Sequence, residues 1–369
     1  MDGEYLHDKF LFLYNSEGVF CMEWKKMRKK LAAAVVAGTL TFSVIPTPTA
    51  DAGILETVIG AGVQYAALNQ QISYLDNEGR DELFQQMQEK YGVNDDPYLN
   101  ARLDSIMGTL TAAIAEVDPT IYEKPYNYFV NNDTSFNAFC TLGHNISVNT
   151  GMFNMVANDD EVAVVLGHEM GHGQKNHVKA GVRDTLIAQV GAAVLTNNSA
   201  LGQLAAQYAS NVHMPRAKER EADKLAFQYI THSNYNPGAC AAIWQRVMER
   251  STSGGSFLSD HPDHKDRRDT YAKSLTEYSG GHVKIDGDAG LIQVNGKDFL
   301  VPAPADDMSS QERAYFVMGN LATAYHNGHN GGEAWADGNV LMLGDQPIME
   351  AASGDPSASE MAARLNAIK

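Results

Sequence analysis

The apolar positions of this chain change period several times, and each change marks an element. From Ile54 to about Leu75 they recur at helical spacing, interrupted by Gly60 and Gly62. The same period returns in Asp81–Tyr91 and Tyr98–Glu116, two helices separated by the turn-forming run Gly92-Val-Asn-Asp-Asp-Pro97. Tyr126–Val130 alternates as a half-buried strand does. Ser135–Leu142 and Asn145–Asn149 read as two more strands, turned at Gly143-His144. A small antiparallel sheet is therefore expected just before the apolar run Val162–Gly173. Beyond that run, Asp184–Val212 is rich in Ala, Leu and Gly, and its apolar core Leu186–Leu195 is too short to span a bilayer. Lys218–Ile230 and Pro237–Arg250 are amphipathic helices. The loop Ser251–Ser256 and the polar stretch Asp260–Arg268 follow, and then a short helix to about Tyr278.

The texture changes after Gly280-Gly281. His282–Ile285 and Gly290–Pro302 read as strands, Ser310–Tyr325 as a helix, and a last helix begins at Ser357. The expected fold class is α+β, with a mostly helical body over residues 53–279 and a small α+β appendage over 280–369. No internal repeat is visible in the sequence, which argues against a helical-repeat arm for partner binding.

Composition narrows the function classes. With 369 residues, 44% of them apolar, the chain can build a substantial core. Its formal net charge is -17. The first 52 residues are electrically balanced, so the excess lies in the body, and no basic run offsets it. That excludes nucleic acid as a partner and argues against charge-driven attachment to anionic lipid.

The N-terminal region reads as an export signal. Lys25, Lys26, Arg28, Lys29 and Lys30 precede the apolar stretch Leu31–Ile45, and Ala50 and Ala52 form an A-x-A cleavage site before Gly53. The first 21 residues do not fit such a signal, and Met22 or Met27 is a more natural start. An exported, periplasmic or extracellular protein follows as the expectation, with residues 1–52 removed. The mature chain would retain Cys140 and Cys240, whose pairing the sequence leaves open.

Candidate chemistry lies in the apolar run. It holds His168, Glu169 and His172 in the spacing H-E-x-x-H, which on a helix stacks two imidazoles on one face. Such a pair can grip one metal ion, while the glutamate beside the first reaches water at that ion. Asn158 is placed to cap this helix, with Glu161 at capping-box spacing. Gly167 and Gly171 are costly inside a helix, and close backbone packing is the expected reason. A catalytic zinc needs a third protein ligand and an open position. Lys218-Glu-Arg-Glu-Ala-Asp223 offers Glu219 and Asp223 on one helical face. Glu219 could bind the metal and Asp223 could accept the second N–H of a ligand histidine, while Glu221 should point elsewhere. His177 reads as a packing histidine. His326-Asn-Gly-His329 has ligand-like spacing, but no carboxylate or cysteine cluster matches it.

These motifs together resemble metallopeptidase family 48. They are H-E-x-x-H, the E-R-E-A-D run some fifty residues on, and His261-Pro262 with Arg267 six residues after His261. The similarity extends over about residues 65–275 and takes in Asn137-Ala-Phe139 and Asn149-Thr-Gly151. The resemblance implies a gluzincin fold holding one Zn2+ through His168, His172 and Glu219. It also implies Glu169 as general base, Asp223 bonded to a ligand histidine, and His261 and Arg267 near the metal. Asn137, Ala138 and Phe139 would form the strand edge that pairs with an extended protein or peptide substrate. The membrane-spanning helices of some members are missing, so a soluble, exported branch fits better. A packed helix is favoured for Asp184–Val212 over a hairpin in peripheral contact with membrane. His261 could also occupy the open metal position and hold the enzyme latent. The alternative from another class is a non-catalytic, chaperone-like envelope protein with a structural zinc. The oligomeric state and the role of 280–369 are not readable.

Overall fold

Asp96 and Pro97 start the longest helix: the Asp96 carboxylate accepts the amides of Tyr98 and Leu99, and proline occupies the first turn, where no amide partner is needed. The structure is a computed structural model that describes residues 4–7, 10–15, 18–23, 69–156, 158–190, 214–250 and 264–369. An N-terminal antiparallel meander, β1 (Glu4–His7), β2 (Phe10–Asn15) and β3 (Gly18–Glu23), precedes the body. The helices are α1 (Arg80–Tyr91), α2 (Pro97–Val117), α3 (Thr150–Met155), α4 (Asp159–Gln174), α5 (His177–Val190), α6 (Arg216–Thr231), α7 (Ala239–Arg250), α8 (His264–Tyr278), α9 (Ser310–His326) and α10 (Ala358–Ile368). With small sheets beside them, the chain is α+β and mostly helical.

The sheet beside α4 consists of β4 (Asn127–Asn131), β5 (Ala138–Thr141) and β6 (Asn145–Asn149), ordered β4-β6-β5. Strand β6 runs antiparallel to β5 but parallel to β4, so the sheet is mixed rather than wholly antiparallel. The cause is the link over residues 132–137, which carries the chain past one strand position and leaves the middle place for β6. Gly143 and His144, both at positive φ, then turn β5 tightly back into it.

Helix α4 is buried along almost its whole length, from Glu161 to Gly173, as its unbroken apolar sequence requires. It packs on α2, α6, α7 and β5. A Cβ placed on Gly171 would lie 3.4 Å from the backbone of Ala222, and one on Gly167 3.7 Å from Ala226 Cα. The two helices are therefore closely packed there: a Cβ at either glycine would stand in direct contact with the α6 backbone.

Residues 283–369 hold a structural repeat that is not visible in the sequence. The strands β7 (Val283–Asp286), β8 (Leu291–Val294) and β9 (Lys297–Leu300) form an antiparallel meander followed by α9. The strands β10 (Ala334–Asp337), β11 (Val340–Leu343) and β12 (Gln346–Glu350) form a second, followed by α10. The first two strands of each meander share one burial pattern. Each middle strand slips register against the third at its centre, at Ile292/Gln293 and at Leu341/Met342. Both following helices begin with a complete capping box, Ser309 with Glu312 and Ser357 with Glu360. The residues that fill these matching places mostly differ, which hid the duplication in the sequence.

One hydrophobic cluster runs from Leu103 and Ile106 of α2 through α4 and α7 to Val283, Tyr315, Leu341 and Leu365. Cys140 and Cys240 are both buried free thiols. The export signal, its cleavage site, residues 191–213 of the Ala/Leu/Gly-rich stretch and His261 lie outside the described residues. Among those described, no helix is long and apolar enough to cross a membrane.

Candidate metal centre

Helix α4 starts at Asn158, whose side chain accepts the Glu161 amide at 2.9 Å. The Glu161 carboxylate accepts the Asn158 side-chain amide rather than its backbone N–H, and its other oxygen turns inward to Arg246 of α7. The helix carries His168 and His172 on one face, 2% and 3% exposed, with their Nε2 atoms 3.0 Å apart. Across the glycine contact, α6 delivers Glu219. One of its carboxylate oxygens lies 3.4 Å from His168 Nε2, and the other lies 3.4 Å from His172 Nε2. Ligand atoms of these three buried residues all lie within 4.8 Å of one another.

Two imidazole nitrogens and a carboxylate aimed at one point form a donor set that needs a shared cation or proton. Zinc bound at about 2.0–2.1 Å in tetrahedral geometry would separate its ligands by about 3.4 Å, so the residues fit such an ion. The electrostatics agree. Burial and the Arg267 cation push His168 towards neutrality, but its hydrogen bonds to Asp223 and Glu219 outweigh both and raise its pKa to about 9. The pocket thus favours positive charge at the convergence point.

The His168 ring is held from behind. Asp223, one turn after Glu219, lies 3.0 Å from His168 Nδ1. Burial would raise the Asp223 carboxyl, but the Arg267 guanidinium and His168 hold it well below the usual carboxylate range. Arg267 of α8 reaches Asp223 through Nε at 2.9 Å and also through a terminal nitrogen. Its guanidinium carbon lies 3.7 Å over the centroid of the Trp244 ring. The Tyr271 hydroxyl donates to the same Asp223 side chain at 3.1 Å. Arg267 is 7% exposed and approaches Glu219 to 4.0 Å, so it stands behind the His-His-Glu cluster and braces Asp223.

Glu169 points to the sheet side, where its carboxylate accepts the Cys140 amide at 3.0 Å. Among the described residues strand β5 is an edge strand, so that amide leaves the edge of the sheet. Asn137, Ala138 and Phe139 are buried at this edge, at 7%, 1% and 4% exposure, and Phe139 packs with Leu83 and Met87. On the other flank, a cavity of about 360 Å³ lies between α6 and α8, lined by Met214, Glu219, Phe227, Arg267 and Tyr271.

The structure brings together His168, His172, Glu219, Asp223 and Arg267. His177, read as a packing histidine, and Glu221, read as pointing elsewhere, meet behind His172: His177 Nδ1 lies 3.0 Å from His172 Nδ1, and its Nε2 lies 3.3 Å from Glu221. The only available signal was that His177 opens the next helix one turn past His172. The pair His326 and His329 forms no site. His326 stacks on Tyr278, and His329 pairs with Asp345.

Comparison with known proteins agrees with this geometry. Residues 97–273 match the model of peptidase family M48. The chain is 21% identical over 256 residues to the beta-barrel assembly-enhancing protease of Escherichia coli (strain K12), covering 65% of this chain and 50% of that relative. The chain thus spans about half the length of that curated relative. It is 29% identical over 174 residues to the mitochondrial metalloendopeptidase OMA1 of Arabidopsis thaliana, covering 46% and 36% respectively. Against the metalloprotease YcaL of Escherichia coli (strain K12) it is 30% identical over 180 residues, 45% of this chain and 69% of the relative. With two helices converging on a His-His-Glu site and relatives of this kind, the chain belongs to peptidase family M48.

Proposed function

We propose that this protein is a zinc-dependent endopeptidase that acts on proteins of the cell envelope or secreted proteins. The observation that carries the reading is the convergence of His168, His172 and Glu219 from two helices, with Glu169 in the same turn as the first ligand. Zinc held by those three residues would supply the Lewis acidity that amide hydrolysis requires. Glu169 is assigned as general base: it takes a proton from the attacking water and returns it to the leaving amine. Its bond to the Cys140 amide fixes the carboxylate between α4 and the edge of β5. That edge, around Asn137–Phe139, is assigned to pairing with the extended backbone of the substrate, and the apolar cavity beside Glu219 to one of its side chains. Asp223 keeps the His168 ring oriented, and Arg267 keeps Asp223 in place. His261 is assigned by its motif alone. The basic and apolar stretches at Lys25–Ile45 support export.

The test is metal analysis of the purified chain together with cleavage of an unfolded protein such as casein. One equivalent of zinc, cleavage lost on chelation, and a Glu169→Gln protein that keeps zinc but does not cleave are the expected results. Zinc-free active protein, or full activity in Glu169→Gln, would overturn the proposal.

A further inference from the structure

The two ligand histidines have separate supports, and only one of them belongs to the motifs read above. Behind His168 stands the buried Asp223–Arg267 pair. Behind His172 stands an imidazole. Helix α4 ends near Lys175, Asn176 adopts a left-handed backbone (φ 53), and α5 starts at once with His177 folded back under α4. This puts His177 Nδ1 3.0 Å from His172 Nδ1, with the rings edge to face and centroids 5.0 Å apart. His177 is 5% exposed, and its Nε2 meets Glu221 Oε2 at 3.3 Å.

We infer that His177 and Glu221 are positioning residues that fix the tautomer and ring angle of His172 for metal binding, an inference that rests on the zinc reading above. The hydrogen-bond directions admit one consistent order. His172 turns Nε2 to the convergence point with His168 and Glu219, so its proton sits on Nδ1. That N–H donates to His177 Nδ1, which must then be unprotonated. The His177 proton therefore sits on Nε2 and donates to the Glu221 carboxylate. The chain of donors runs outward from the metal side to a carboxylate that is half exposed, its side chain 51% accessible. The two arms thus differ in kind: a buried charged brace for His168, and a neutral relay ending near solvent for His172. Glu221 does point away from the metal, as helical geometry demands of a residue two past Glu219, and that direction is what brings it to His177.

The experiment is zinc affinity of the full chain, measured by competition with a chromophoric chelator, beside the visible spectrum of the cobalt-substituted protein. Removing such a support weakens metal binding by about 10–100-fold, so His177→Ala should fall in that range with an altered cobalt spectrum. His177→Gln, whose amide oxygen can still accept from His172, should recover most of the affinity. Glu221→Gln, at a half-exposed position that leaves the core untouched, should weaken zinc several-fold and tests the relay even if His177→Ala fails to fold. Wild-type affinity and spectrum in Glu221→Gln and in folded His177→Ala would overturn the inference while leaving the zinc reading intact. Failure of the wild-type chain itself to bind zinc would overturn both.

Discussion

Arg246 and Glu161 meet at 3.2 Å with both side chains fully buried, an ion pair above pH 7, where the Glu161 carboxyl is ionised. The same guanidinium lies 3.6 Å from Glu312 at the start of α9 and 2.8 Å from Asp307. One cation thus ties the first turn of α4 to the C-terminal units. Removing one partner of a buried pair typically costs about 3–5 kcal/mol, because the other charge stays buried without compensation. Arg246→Ala should destabilise the protein by that order in a denaturant titration, and Arg246→Lys should recover only part of the loss because it lacks the guanidinium fork.

The same cluster predicts a pH dependence. Burial raises the Glu161 carboxyl from 4.5 to about 7, with Arg246 and Asn158 opposing the shift. Between those values the folded chain holds a proton that the unfolded chain releases. The contribution of this group to stability is therefore greatest below pH 4.5 and falls as pH rises through 7, by an upper bound of roughly 3 kcal/mol. Denaturant midpoints at pH 5 and pH 8 should show the fall, and Glu161→Gln should flatten it. Equal slopes in the two proteins would contradict the assignment.

Asp223→Asn should lower zinc affinity by about 10–100-fold. An amide there cannot balance Arg267, and it can offer His168 Nδ1 its NH2 instead of an oxygen. Chelator competition reads the change, and an unchanged affinity would show that His168 needs no such support.

At Gly171 the prediction is steric. A methyl group would lie 3.4 Å from the Ala222 backbone, at the near limit of ordinary contact, and fits, whereas Val or Leu must push α6 away. Overpacking of this kind costs about 1–3 kcal/mol. Because α6 carries Glu219, Gly171→Val should also weaken zinc binding, whereas an equally destabilising core change far from the α4–α6 contact should not.

Much of this was legible in the chain. The 3.6-residue period fixes which side chains share a helix face, so His168 with His172, and Glu219 with Asp223, could be paired before any coordinates. Asn158 could likewise be read as a cap. Glu161 was misread as a capping-box partner, because local spacing does not show that Arg246, 85 residues on, competes for its carboxylate. His177 was read only as a packing histidine because its position depends on the left-handed turn at Asn176, which reverses the chain outside any helical period. The parallel pairing of β4 with β6 is non-local, and alternation within a strand says nothing about which neighbour it joins. The duplicated meander was hidden because it preserves which positions are buried rather than which residues fill them.

That duplication has a mechanical consequence. Helix α9 follows the first meander, yet it packs on β12 of the second and on α7 and α8 of the body. It acts as a shared keel: a chain ending after His326 would bare the α9 face that now rests against Ile348 and Met349. Since α7 carries Arg246 and Trp244, the loosening would be felt through Arg267 at the very residues that hold His168.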